Sequence, residues 1–271
     1  MARIIFIEGL PGSGKTTFAK RLSEDLKGDV RLFIEGDLHP IDLAWCSYTD
    51  DTTYHRLLER FPEQAAQIQS HSRFEDGHWI TAYTQVRPAP KRFYDAFEMH
   101  EVYRYQDLEP FHKIHVARYQ TFAETADAAT YIFECVLLQN HINELILKHD
   151  LSQSAMIAYF QALLEPLRQH DIQLIHLVQS DVETTLRRVV EERRSDNPEW
   201  PDWIDLVVAY IERLPHAKPK GYLGTDGALR YFKDRQATEQ ALLPKLDIPY
   251  KTIVVNDDYD PAYERLLDHL R

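Results

Sequence analysis

The 271-residue sequence predicts an α/β fold: a doubly wound, mostly parallel five-stranded sheet with a helical insertion between its second and third strands. Three observations carry that expectation. Five short apolar runs, at 4–7, 31–35, 130–134, 172–178 and 250–255, alternate with stretches of helical periodicity, the pattern of strands covered on both faces. A glycine-rich segment joins the first run to the first helix. Finally, about ninety residues separate the second run from the third, far more than an ordinary crossover connection.

Ile4-Ile5-Phe6-Ile7 forms the first run, which ends at Glu8 and leads into Gly9-Leu10-Pro11-Gly12-Ser13-Gly14-Lys15-Thr16. That segment matches G-x-x-x-x-G-K-[ST], which chance would supply in roughly one such chain per hundred. An entering strand and a departing amphipathic helix make coincidence rarer still. In that helix Phe18, Leu22 and Leu26 share one face, while Lys20, Arg21 and Glu24 lie elsewhere. Glycines let backbone N–H groups turn inward around phosphate oxygens, and the helix start adds the positive end of its dipole. The expectation is a site for ATP and Mg²⁺. Gly9, Gly12, Ser13, Gly14, Lys15, Thr16 and Thr17 hold the polyphosphate. Lys15 reaches the β and γ phosphates, and the Thr16 hydroxyl ligates the metal. The plainer alternative is a glycine-rich turn between strand and helix.

The second run closes with Glu35-Gly36-Asp37. In a doubly wound sheet the carboxyl ends of strands line the ligand crevice, so both acids are expected to point toward the phosphates; a helix cap or solvated turn is the other reading. Residues 38–128 show helical patterns at 54–60 and 111–123, with Arg87-Pro88-Ala89-Pro90 as an extended linker between them. This segment holds 15 of the chain's 31 Phe, Trp and Tyr residues, which marks it as a substrate subdomain. Trp45 and Tyr119 suit stacking on a planar or sugar-like substrate and Arg118 suits an anionic one, although a small subdomain also needs rings for its own core. His112 and His115 have i, i+3 spacing, with no third metal ligand evident beside them.

Glu134 ends the third run, Tyr131-Ile132-Phe133-Glu134, either to hold Mg²⁺ through a water or a substrate hydroxyl, or as a buried structural acid. Gln139 and Asn140 follow as polar candidates for the same crevice. After the fourth run a helix carries Arg187, Arg188, Arg193 and Arg194 among Glu183, Glu191 and Glu192. Such mixing reads as a salt-bridged solvent face or as a bank of phosphoryl-stabilising guanidiniums. Residues 195–246, with Pro198, Pro201, Pro215 and Pro219, a glycine-rich turn at 221–227 and a helix over 228–243, form a lid or a C-terminal helical insertion. The fifth run leads into Asn256-Asp257-Asp258-Tyr259-Asp260 and a last helix over 261–270.

The loop, the Glu35/Asp37 acids and the arginine helix together resemble the P-loop small-molecule and nucleotide kinase group, which includes nucleoside and thymidylate kinases and chloramphenicol phosphotransferase. The resemblance covers the sheet framework, residues 1–37 and 129–271, and not the insertion at 38–128. It implies a P-loop NTPase fold and transfer of the γ-phosphate of ATP to a small-molecule acceptor, be it a nucleoside, a nucleotide, an antibiotic or another metabolite. It further implies Asp37, with Glu35 as second choice, as the base for the acceptor hydroxyl. Arg188 and Arg193 fall where the group's lid arginines close over the moving phosphoryl group. An NTP hydrolase or switch stands as the alternative, as does a nucleotide-binding regulator without catalysis. No N-K-x-D motif is present to favour a GTPase.

Composition trims the remaining classes. A formal charge of −12 argues against broad nucleic-acid or acidic-membrane binding, which draws on clustered Lys and Arg. The amino-terminal run is too short for a signal peptide, and no stretch approaches the roughly 20 apolar residues that span a bilayer. Two cysteines, Cys46 and Cys135, make no disulfide framework. A cytoplasmic protein is expected. Its oligomeric state is open, a homodimer included.

Overall fold

The computed structural model describes residues 1–196, 201–256 and 258–270. Pro198 and Asp257, both named above, lie outside them. In chain order the elements are β1 (Arg3–Gly9), α1 (Lys15–Asp25), β2 (Val30–Phe33), β3 (Ser47–Thr49), α2 (Asp51–Arg60), α3 (Ala65–Ser70), β4 (Ser72–Glu75) and β5 (His78–Thr81). Then follow α4 (Lys91–Glu98), α5 (Leu108–Thr125), β6 (Thr130–Glu134), α6 (Gln139–Leu147), α7 (Gln153–Leu164) and β7 (Asp171–Val178). Last come α8 (Val182–Glu192), α9 (Trp203–Glu212), α10 (Gly224–Leu242), β8 (Tyr250–Val254) and α11 (Asp260–Leu270).

The chain divides into two compact units, one of Met1–Leu32, Ala128–Ala162 and His170–Arg271, the other of Phe33–Asp127 and Leu163–Gln169. The first is built on a five-stranded, all-parallel sheet in the order β2-β6-β1-β7-β8. β1 is central, with Ile4 paired to Tyr131 on one side and to Ile172 on the other. Ile4, Ile5, Phe6 and Ile7 are all fully buried, as a strand with covered faces requires. On one face Ile5 and Ile7 pack with Phe18 and Leu22 of α1 and with Tyr263 and Leu266 of α11. No helix among the described residues is long and apolar enough to cross a membrane.

The second unit has its own core, where Phe61, Phe93 and Phe97 meet Tyr54, Leu57, Ile68 and Tyr83. It corrects the expectation of a wholly helical insertion. A three-stranded antiparallel sheet, β3-β5-β4, runs through it. The cause is local: Asp76 and Gly77 take φ of 48° and 82°, the two left-handed positions of a two-residue hairpin, and fold β4 onto β5.

Two boundary shifts have a clear local cause, and one helix is new. β2 stops at Phe33 rather than at residue 35, because Asp37 donates its amide to the Ile34 carbonyl (3.1 Å) and accepts the Ile34 amide on its carboxylate (2.9 Å). That closes a turn through Gly36 instead of prolonging the strand. α10 begins at Gly224, not at 228. Gly227 is a helical residue whose Cβ would stand 2.5 Å from the Tyr222 backbone, so its glycine serves close packing and not a turn. α9 was unforeseen, within a stretch where prolines dominate the pattern.

Candidate functional site

Within the first unit the segment after β1 leaves the sheet at Gly9 and re-enters regular structure at Lys15. Ser13 closes the turn by donating its amide to the Leu10 carbonyl (3.1 Å). Gly14 caps α1 from a left-handed conformation (φ 85°), and its carbonyl accepts the first helical bond, from the Phe18 amide (2.9 Å). Gly12, at φ 78°, has a second constraint: a Cβ there would lie 2.3 Å from a Val189 methyl of α8. The turn is covered from another side by Tyr259, whose hydroxyl donates to the Gly12 carbonyl (3.3 Å) and whose ring would stand 3.0 Å from a Cβ at Gly14.

Two of the expected functional side chains are oriented by this turn. Lys15 is buried and donates from Nζ to the Leu10 carbonyl at 2.9 Å, so its ammonium lies across the loop. Thr16 donates from Oγ1 to Oε1 of Glu134 at 2.6 Å, and Glu134 stands at the end of β6, the strand beside β1. Glu134 is 2% exposed, and its other oxygen, Oε2, has no hydrogen-bond partner among the described residues. Nor does the buried Ser13 hydroxyl. Uncommitted buried oxygens at the start of a helix are rare, since each costs free energy unless something outside the fold satisfies it. Thr17, one residue on, is exposed.

The arginines occupy two environments. Arg187 pairs with Glu183 (2.8 Å) and Asp226 (3.2 Å), Arg188 lies 3.6 Å from Glu192, and Arg194 pairs with Glu191 (2.8 Å). Arg193 instead lies 5.1 Å above the Trp203 ring. The helix presents its charges mostly to its own glutamates, yet through Val189 it lies against the tip of the turn.

Of the remaining expected residues, Gln139 and Asn140 stand buried at the start of α6 in the first unit, and the others belong to the second. Asp37 uses one carboxylate oxygen to close its own turn. Glu35 accepts from Nε1 of Trp45 (3.0 Å), a ring that is 48% exposed and whose backbone has φ 61°. Arg118 donates to Oε2 of Glu75 and to the His39 carbonyl, both at 2.7 Å, while Tyr119 is fully buried in the packing of its unit. His115 places Nδ1 2.9 Å from the Phe111 carbonyl and Nε2 3.3 Å from Asp42, a buried acid that also accepts from Tyr103 (2.7 Å). Burial pushes the His39 imidazole down to about 3, with Arg118 and Arg73 adding to the fall and Asp42 opposing it.

A ring of buried charge in the first unit escaped the sequence. Glu8 is fully buried and accepts the amides of Leu137 (2.7 Å) and Gln139 (3.0 Å), which ties the end of β1 to the start of α6. Desolvation raises its carboxyl to about 7 against the pull of those amides, and Glu239 adds to the rise. Arg235 and Glu239 of α10 and His176 of β7 complete the group. One signal for Glu8 was present: an acid ending an otherwise apolar strand, directly before the glycines.

No protein-family model matches the sequence, and no curated protein matches it. Among solved structures it is similar to an unliganded sugar kinase from Janibacter sp. HTCC2649, at 12% identity over 100% of this chain and 95% of that one, with a TM-score of 0.35. A likeness at that score does not establish a shared fold.

Proposed function

We propose that the chain is an ATP-dependent kinase of the P-loop type that transfers the γ-phosphate to a hydroxyl of a small-molecule acceptor. One observation carries this reading: the Gly9–Thr16 turn joins a central parallel strand to a helix, with Lys15 lying across it and Thr16 facing the acid that ends the neighbouring strand. A phosphate group would take over Lys15 from the Leu10 carbonyl, and inward amides at the helix start would complete its cradle. The oxygens of Thr16 and Glu134 are hard donors that fit Mg²⁺, Glu134 through a water, and the uncommitted Oε2 supports that fit. Bound there, Mg²⁺ neutralises charge on the phosphates.

Asp37, or Glu35 beside it, is assigned the proton of the acceptor hydroxyl, on the strength of its place after the second strand. Arg188 and Arg193 are assigned to stabilise the moving phosphoryl group. The second unit, with Trp45 and Arg118, is assigned to the acceptor, and 195–246 to a lid. Trp45, half exposed, remains a stacking candidate; Tyr119 does not, because its ring is enclosed.

Phosphorus NMR of the protein with MgATP and a panel of nucleosides, nucleotides, aminoglycosides and phenicols tests the proposal. Acceptor-dependent ADP formation, with a new phosphoester resonance, is the expected result. Phosphate release without an acceptor would make the chain a hydrolase, and nucleotide binding without turnover would make it a regulator.

A further inference from the structure

Arg235 is among the largest fully buried side chains, at 1% exposure. A guanidinium withdrawn from water is costly unless nearly all of its donors are met. Here Nε is ion-paired with Oε1 of Glu239, one turn further along α10 (2.9 Å), without the geometry of a hydrogen bond. The fork then reaches the Gly9 carbonyl (3.1 Å), Oδ1 of Asn143 (3.3 Å) and Oε1 of Gln139 (3.4 Å). Glu239 turns its other oxygen to Nε2 of His176 (2.9 Å), which stands opposite Glu8 in the β1–β7 register. The residue before the loop and the loop's first residue are therefore gripped separately, Glu8 through its carboxylate and Gly9 through its carbonyl. Gly9 has no side chain, so main-chain groups are its only handles. One residue on, the Leu10 carbonyl holds Lys15. Burial pushes the Glu239 carboxyl up, but Arg235, His176 and Lys15 outweigh it and hold it below its ordinary value, which places Lys15 within the electrostatic reach of the same pair.

We propose that Arg235 is a positioning residue of the phosphate loop: by fixing the Gly9 carbonyl it holds residues 9–16 in the turn that receives a nucleoside triphosphate. The ligand half of this rests on the kinase reading; the positioning half does not. A structural role alone would be met by an apolar side chain of similar volume. The guanidinium instead directs its fork to Gly9, where the turn begins, and to Gln139 and Asn143 of α6, the helix whose start Glu8 holds.

Arg235→Lys keeps a cation opposite Glu239 but loses the planar fork. Amide hydrogen exchange is followed in peptides covering 9–17 of the ligand-free protein, with β6 and β7 as internal controls and MgATP affinity measured in parallel. The expected result is loop exchange faster by about tenfold with the strands unchanged, and a Kd for MgATP raised by about tenfold. The double variant Arg235→Met with Glu239→Gln, which leaves no buried charge unpaired, is expected to do the same. Loop exchange equal to wild type in a folded variant overturns the proposal. So does exchange that quickens alike in loop and strands, or loss of cooperative melting in both variants, since Arg235 would then serve packing alone. A wild-type protein that ignores MgATP while its loop still responds to Arg235→Lys refutes the kinase reading and supports the positioning role.

Discussion

Both units bury charged groups, but they use them differently. In the second unit the buried acids are answered, since Tyr83 donates to Glu101 (2.6 Å), Tyr103 to Asp42 (2.7 Å) and Arg118 to Glu75 (2.7 Å), while the oxygens left over there among the described residues are the neutral hydroxyls of Ser47, Thr49 and Tyr54. In the first, Glu8, Arg235 and Glu239 are likewise engaged, yet just beyond them Oε2 of Glu134 and the Ser13 hydroxyl are buried and uncommitted. Burial of charge alone therefore does not mark a site. What marks it is a buried carboxylate oxygen left uncommitted beside the glycine turn, because a fixed frame can hold such an atom ready at little further cost.

The comparison breaks most sharply at Lys15. Lys15→Ala is expected to lower acceptor-dependent ADP formation by about 10³-fold or more with melting little changed. Full retained activity would remove the loop from catalysis.

A second contrast lies in pH. The Glu8 carboxyl is raised to about 7 in the fold, so its stabilising contribution is complete below 4.5 and is lost as pH climbs from there to 7. His39 is lowered to about 3, so its contribution is complete above 6.5 and is lost as pH falls toward 3. The two units thus carry slopes of opposite sign, each worth about 3 kcal/mol across two pH units. Denaturant-dependent exchange of β6 amides for one unit and of α5 amides for the other resolves them. Glu8→Gln should flatten only the first slope and His39→Gln only the second; a shared response would unite the two regions energetically.

Asp37→Asn gives the smallest expected effect, a fall in turnover of about 10²-fold that leaves MgATP affinity in place. An equal loss of nucleotide affinity would reassign Asp37 to the metal.

The five strands of the parallel sheet were legible because their apolar runs are short and bounded, and β6 was found to the residue. β2 was overrun because Glu35 and Asp37 continue its extended pattern, while the bond that stops it joins a side chain to the backbone. The β4–β5 hairpin had its signal in Asp76-Gly77, hidden inside a segment judged by its helices. The turn between β1 and α1 could be read because four fixed positions, two of them glycines, separate an apolar run from a helical one. Arg235 and Glu239 could not. Their i, i+4 spacing is the same as that of Arg187 and Glu183, which are 53% and 64% exposed, and spacing alone does not say which pair faces water.

Tyr259 closes over Gly12 from 247 positions downstream. Joining such distant points exacts a large entropy of loop closure, and strands β7 and β8 must be laid down first. During synthesis, then, the glycine turn emerges 247 residues before the ring that covers it. The finished turn is a late milestone of folding, and nascent chains halted before Tyr259 would display the motif without its final shape.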